Sequence, residues 1–226
     1  MKISGLLFLG SLFPILASAA LDDHGEQAPA VSSTQALLGA IELRDLKFDI
    51  SDSATPTQTD FSLLPQLGGA WGTAPRGDRF QYGLEASFLL GARVDKLNYL
   101  YAGGGGLRIS LSTSLWLFDL AGGAYANLYL DDNKKIRLYA AAGPQLMYAT
   151  YRENRKFSDG SDSTSSSDSA FGAGAYARAG IEFRLDNAGM VGLGVRNTWS
   201  WMDFHDANHS SHLDGIAVFA TYTLGF

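Results

Sequence analysis

Residues 80–90 read Phe-Gln-Tyr-Gly-Leu-Glu-Ala-Ser-Phe-Leu-Leu. Phe80, Tyr82, Leu84, Ala86, Phe88 and Leu90 alternate with Gln81, Gly83, Glu85 and Ser87. A repeat of two residues is the repeat of a β-strand, whose successive side chains leave on opposite faces. A helix would bring its apolar residues round every three or four positions instead. The stretch therefore predicts a strand with one oily and one polar face, followed and preceded by segments that must share its sheet.

The same alternation recurs along the chain. Before it come Leu37, Gly39, Ile41 and Leu43, with Glu42 and Arg44 on the second face, and then Phe61, Leu63, Leu67, Gly69 and Trp71, with Ser62, Gln66 and Gly68 opposite. After it come Trp116, Phe118, Leu120, Ala124, Ala126, Leu128 and Leu130; then Ile136, Leu138, Ala140, Ala142, Leu146 and Tyr148. The last three segments show Phe171 through Leu185 on odd numbers, Val191, Leu193, Val195, Trp199 and Trp201, and finally Ile216, Val218, Ala220, Tyr222, Leu224 and Phe226. Residues 93–114 are ambiguous: they form either a hairpin projecting from the sheet or two more strands, which gives eight or ten in all. The apolar set moves from odd numbers at Leu107, Ile109 and Leu111 to even numbers from Trp116, which predicts a β-bulge near Thr113 or Ser114. Short turns at residues 74–78, 131–135 and 186–189 alternate with longer connections, as in an antiparallel up-and-down barrel with short turns at one rim.

Two features predict that the oily face meets lipid. Outward aromatics gather at both ends of the segments: Trp116, Phe118, Tyr148, Phe171, Trp199 and Trp201 at one level, and Trp71, Phe80, Tyr82, Phe183, Tyr222 and Phe226 at the other. Two aromatic girdles are what a membrane with two headgroup levels selects, and a soluble cavity barrel has no use for them. The second face is poor in Lys and rich in Gly, as a crowded lumen requires.

Residues 1–19 have a signal-peptide pattern: Lys2, an apolar stretch from Ile3 to Leu16, and Ala17-Ser18-Ala19 as a small-x-small cleavage site. The expected organisation is a signal peptide over 1–19, a mobile periplasmic lead over 20–33, and the barrel over 34–226. Export in this form places the chain in a Gram-negative outer membrane with both termini periplasmic. The 226 residues contain no cysteine, which removes lipobox anchoring, disulfides and thiolate chemistry. A formal charge of −6 argues against a nucleic-acid partner, which needs a basic face.

The signal, the alternating segments and the closing Phe-Ala-Thr-Tyr-Thr-Leu-Gly-Phe of residues 219–226 resemble the small outer-membrane barrels that include the transmembrane domain of outer membrane protein A. The resemblance implies eight strands, and it implies that Tyr222, Leu224 and Phe226 are read by the barrel-assembly machinery. Thr221 stands where that family usually has glycine.

The lumen face is expected to carry Glu42, Arg44, Glu85, Asp119, Arg178, Glu182 and Arg196, with Gln66, Tyr125, Asn127, Tyr139, Gln145 and Tyr176 among them. Eight strands leave an interior just wide enough for side chains, so these charges should pair and plug the barrel. The functional expectation is structural: a non-enzymatic barrel that supports the envelope or surface contacts and needs no cofactor. A narrow channel is the competing reading. A lipid A deacylase is a third, because His209 and Ser211 have the His-x-Ser spacing of those enzymes, but the acid expected in the last strand is missing beyond Asp214. His205, Asp206, His209 and His212 are of metal-ligating type without a recognised metal spacing. Arg93, Lys96, Arg152, Arg155 and Lys156 cluster where strands leave the membrane, at the level of lipopolysaccharide phosphates. Alanines at 140, 142, 173, 175, 177 and 179 make a flat stripe suited to a protein partner or a second copy.

Overall fold

The computed structural model describes residues 31–44, 47–50, 57–60, 63–101, 107–157, 164–185, 189–202 and 212–225. The signal segment, His205, Asp206, His209, Ser211, Phe61 and Phe226 lie outside them. Every regular element among the described residues is a strand: β1 (Val31–Leu43), β2 (Lys47–Ile50), β3 (Thr57–Asp60), β4 (Leu63–Thr73), β5 (Phe80–Tyr101), β6 (Leu107–Tyr129), β7 (Ile136–Phe157), β8 (Thr164–Leu185), β9 (Gly189–Met202) and β10 (His212–Leu224). Eight of them close a barrel in the order β1-β10-β9-β8-β7-β6-β5-β4, while β2 and β3 pair as a separate hairpin. All pairs are antiparallel. Closure matters physically, because a sheet without free edges is one of the few ways to satisfy every backbone group in hydrocarbon.

The fold is that of an outer-membrane barrel. Its outside carries Leu38, Leu67, Leu84, Leu120, Leu146, Leu193 and Val218, all more than half exposed. A soluble protein seldom leaves so much apolar surface in one belt. Both aromatic levels lie on this outside: Trp116, Phe171, Trp199 and Trp201 at one end, Phe80, Tyr82, Phe183 and Tyr222 at the other. From Phe118 to Leu130 on β6 is about 40 Å along a strand, or about 30 Å across the bilayer at the usual tilt, close to the height expected between two girdles.

Residues 93–101 and 107–114 extend β5 and β6 as one pair instead of adding two strands, so the closed barrel has eight strands and not ten. The β4–β5 ladder stops at Gln66↔Gly91, but β5 continues against β6 as far as Tyr101↔Leu107. On the far side β8 leaves β9 at Gly172↔Met202 and continues against β7 to Arg155↔Thr164. Four neighbouring strands, β5 to β8, thus rise as a sheet beyond the rim that β1, β4, β9 and β10 define.

Three expectations fail in instructive ways. The bulge at Thr113 or Ser114 is absent: the β5–β6 register runs unshifted from Phe80↔Leu128 to Tyr101↔Leu107. No extra residue is needed because Leu115 and Leu117, on the odd set, face inward and are 1% exposed. The faces of β1 are also the reverse of those expected. Leu37, Ile41 and Leu43 are buried in the lumen, whereas Leu38, Glu42 and Arg44 face out. β1 is apolar on both faces, so alternation does not decide, and Gln35 does: its pairing with Thr223 on β10 puts the odd residues inside. Finally, β1 begins at Val31, within the stretch expected to be a mobile lead.

Candidate functional site

The lumen contains two layers of different chemistry. At the end with the short turns, Glu182 on β8 is fully buried and collects four donor residues from three other strands, β1, β7 and β10. Its Oε1 accepts from Gln35 Nε2 at 2.7 Å, Thr221 Oγ1 at 2.8 Å and Thr223 Oγ1 at 2.7 Å. Its Oε2 accepts from Arg137, through Nε at 2.9 Å and through a second guanidinium nitrogen. Gln35 then passes the chain on, since its Oε1 accepts from Arg178. Arg178 donates to both oxygens of Glu85, at 2.9 Å and 2.5 Å, and Tyr176 adds its hydroxyl to Glu85 Oε1 at 2.8 Å. Two guanidinium groups and two carboxylates are held in one circuit, which is the arrangement that lets buried charges persist.

Deeper in the barrel a third pair closes the circuit. Arg196, 1% exposed, donates to both oxygens of Asp119 at 2.9 and 2.8 Å, to Gln145 Oε1 at 3.1 Å and to Ser87 Oγ at 3.3 Å. Its guanidinium lies over the Tyr176 ring, 4.4 Å from the centroid, and Arg178 lies over Tyr139 at 5.2 Å. The space left in the inner mouth, bordered by Gln35, Glu85, Asn127, Arg137, Tyr139 and Arg178, is about 30 Å³. That is room for about two waters.

Toward the end with the projecting strands the lumen is mostly apolar, with Gln66, Thr113, Thr198 and Ser200 the buried polar exceptions. Leu37, Ile41, Leu43, Leu64, Leu89, Leu115, Leu117, Met147, Met202, Leu213 and Phe219 pack together, each no more than 4% exposed. Each fully buried side chain of this kind contributes about 1.5–3 kcal/mol relative to exposure in water, so filling this half of the barrel with water is strongly disfavoured. The expected plug of polar and ionic groups is therefore only the inner half of the actual one. Gln66 lies among these residues, 2% exposed, and neither amide atom has a hydrogen-bond partner among the described residues.

Glu85, Asp119, Arg178, Glu182 and Arg196 all enter this network, but Glu42 and Arg44 do not: both are exposed on the outer face of β1. The sequence reading missed Arg137, Gln35, Thr221 and Thr223. Arg137 shares parity with Tyr139 directly after a short turn, and the two threonines alternate with outward Ala220, Tyr222 and Leu224, so parity alone could have found them. Gln35 was hidden by the inverted face of β1.

On the outer wall, rows of facing residues run across β6, β7 and β8. Phe118, Tyr148 and Phe171 form an aromatic row, with ring centroids 6.0 and 4.8 Å apart. Below it come Leu120, Leu146 and Ala173; above it Trp116, Thr150 and Ser169, then Ser114, Arg152 and Ser167, then Ser112, Asn154 and Ser165. Arg152 is exposed and has no ion-pair or hydrogen-bond partner among the described residues. Arg93 differs from Arg152: it is half-buried on the inward parity of β5 and donates to the Leu63 carbonyl at 3.1 Å. Lys96, Arg155 and Lys156 are placed by backbone register alone, opposite Ser112, Leu111 and Ser110. The alanines at 140, 142, 177 and 179 line an apolar recess of about 770 Å³ nearer the inner end, together with Ala124 and Ala126. Tyr222 and Leu224 are exposed on the lipid face of β10. Of the metal-type residues only His212 is placed, at the start of β10, and the described residues contain no cluster able to hold a metal.

No protein-family model matches the chain, and no curated protein matches it. Among solved structures, the attachment invasion locus protein Ail of Yersinia pestis is 12% identical over 85% of this chain and 99% of its own, with a TM-score of 0.40. Neisserial surface protein A is 10% identical over 86% of this chain and 96% of its own, with a TM-score of 0.32. At such values the fold rests on the pairing and burial described above.

Proposed function

We propose that this chain is a non-conducting anchor of the Gram-negative outer membrane, with its termini periplasmic and its four long strands projecting from the cell surface to make contacts there. The observation that carries this reading is that the lumen is closed twice in series. An ion would have to pass a ring of paired charges and then a mostly apolar layer with few groups to replace its water. Long strands support a surface role because they carry the β5 to β8 sheet past the last rows that pair with β4 and β9.

The test is planar-bilayer recording on the refolded full chain. Silent membranes are expected at all voltages that leave the bilayer intact. Reproducible unitary steps from the unmodified protein would sink the reading in favour of a narrow channel. Mass spectrometry of lipid A from cells with and without the protein should show identical species. A change in acylation would move the protein to the enzyme class.

A further inference from the structure

Arg152 is placed where a cation needs an external partner. It stands on the lipid-side parity of β7, four residues beyond Tyr148, which is about 13 Å along the strand and about 10 Å in height. Directly across from it are Ser114 on β6 and Ser167 on β8. The next row outward holds Ser112, Asn154 and Ser165, and the next row inward holds Trp116, Thr150 and Ser169. The wall thus changes, across the row that holds Trp116, from aromatic rings to hydroxyls and one amide around a guanidinium that has no partner among the described residues. The opposite rim is different: Glu42 and Asp214 accompany Arg44 there, so charge is balanced toward acid.

We propose that this wall seats a phosphorylated glycolipid of the surrounding leaflet, its phosphate on Arg152, its sugar hydroxyls among the serines, and its acyl chains against Phe118, Tyr148 and Phe171. The rows of hydroxyls favour a glycolipid over a glycerophospholipid. A sugar headgroup presents hydroxyls beside its phosphates over several rows, which the serines and Asn154 can meet, whereas a glycerophospholipid would leave most of those rows without a partner. An Arg–phosphate contact is charge-assisted and bidentate, so one residue can dominate the affinity. This site rests on the proposed orientation, in which the projecting end faces the glycolipid leaflet.

Native mass spectrometry of the full chain in detergent micelles tests the site without depending on orientation. The probes are bisphosphorylated lipid A, the same lipid without phosphates, and phosphatidylglycerol. Lipid A is expected to bind tightest, and Arg152→Gln should weaken it about tenfold or more, as loss of a charged hydrogen bond implies. Arg44→Gln should leave it unchanged, and Phe171→Ala should weaken phosphorylated and dephosphorylated forms alike. Unchanged binding by Arg152→Gln, or phosphatidylglycerol binding as tight as lipid A, overturns the site. Orientation is read separately from Ser167→Cys labelled by an impermeant maleimide on intact cells. Absence of labelling there would refute the outward projection and leave the micelle result to decide the lipid site alone.

Discussion

The Tyr176 ring supports the Arg196 guanidinium, 4.4 Å away, while its hydroxyl donates to Glu85 at 2.8 Å. One side chain therefore joins the Arg196–Asp119 pair to the Arg178–Glu85 pair. Tyr176→Phe keeps the ring and loses the donor, at a cost of about 1.5–3 kcal/mol for a hydrogen bond to a charged group. Tyr176→Leu also removes the cation–π contact and should cost more, by up to about 2 kcal/mol. Urea unfolding in lipid vesicles, followed by tryptophan fluorescence, gives the order; equal stability of the two variants would deny the ring any part.

Glu182 is the anchor of the inner circuit, and its loss leaves Arg137 buried without a counter-charge. Glu182→Leu should destabilise the barrel by about 3–5 kcal/mol, the range for breaking a buried pair from one side. Adding Arg137→Met should restore most of the loss, because removing both charges also removes their desolvation cost. The measurement is the temperature at which the compact band unfolds on unboiled gels. A double variant less stable than the single would show that the stranded Arg137 charge is not what destabilises Glu182→Leu.

Gln66 makes the opposite prediction. Its amide is surrounded by Leu64 and the apolar layer, and satisfies none of its hydrogen-bonding capacity within the described protein. Gln66→Met retains the volume and removes the unpaired polar atoms, so it should leave stability unchanged or raise it by about 1–3 kcal/mol. A clear loss in vesicle unfolding would reveal a partner for that amide.

Two turns at the short-turn rim are tied by Lys134 Nζ and Asp78 Oδ1 at 2.8 Å. The ammonium holds the Asp78 carboxyl below its usual 3.8, and the carboxylate holds Lys134 above its usual 10.5. A depressed acid stabilises above its unfolded value and stops doing so as pH falls through its folded value. A raised base stabilises below its unfolded value and stops as pH rises through its folded one. Asp78→Asn should therefore lower the unfolding temperature slightly across the neutral range, with the difference from the parent vanishing in acid below 3.8 and in strong salt. A difference that persists in acid would place the effect elsewhere.

The wall strands were legible because each has one unmistakably oily face, and β5 alone carries six apolar residues in strict alternation from Phe80 to Leu90. β1 was not, since Leu37, Leu38 and Ile41 give both faces oil to offer and a glutamine contact across the barrel decides between them. The carboxylates of the circuit could be placed by parity. The apolar lumen layer could not be anticipated, because Leu115 and Leu117 read as members of a lipid face whose register had slipped. Sequence parity reports which residues share a side; it does not report whether that side is oil or an equally dry interior.

The strands of 22 or 23 residues, β5 to β8, keep their ladder bonds well past the last rows shared with β4 and β9. Whatever stands near their ends is therefore mounted on continuous sheet and not on slack chain. A side chain there keeps a set distance and direction from the wall beneath it, as a signpost does, so a ligand that meets several of them at once finds their spacing already decided.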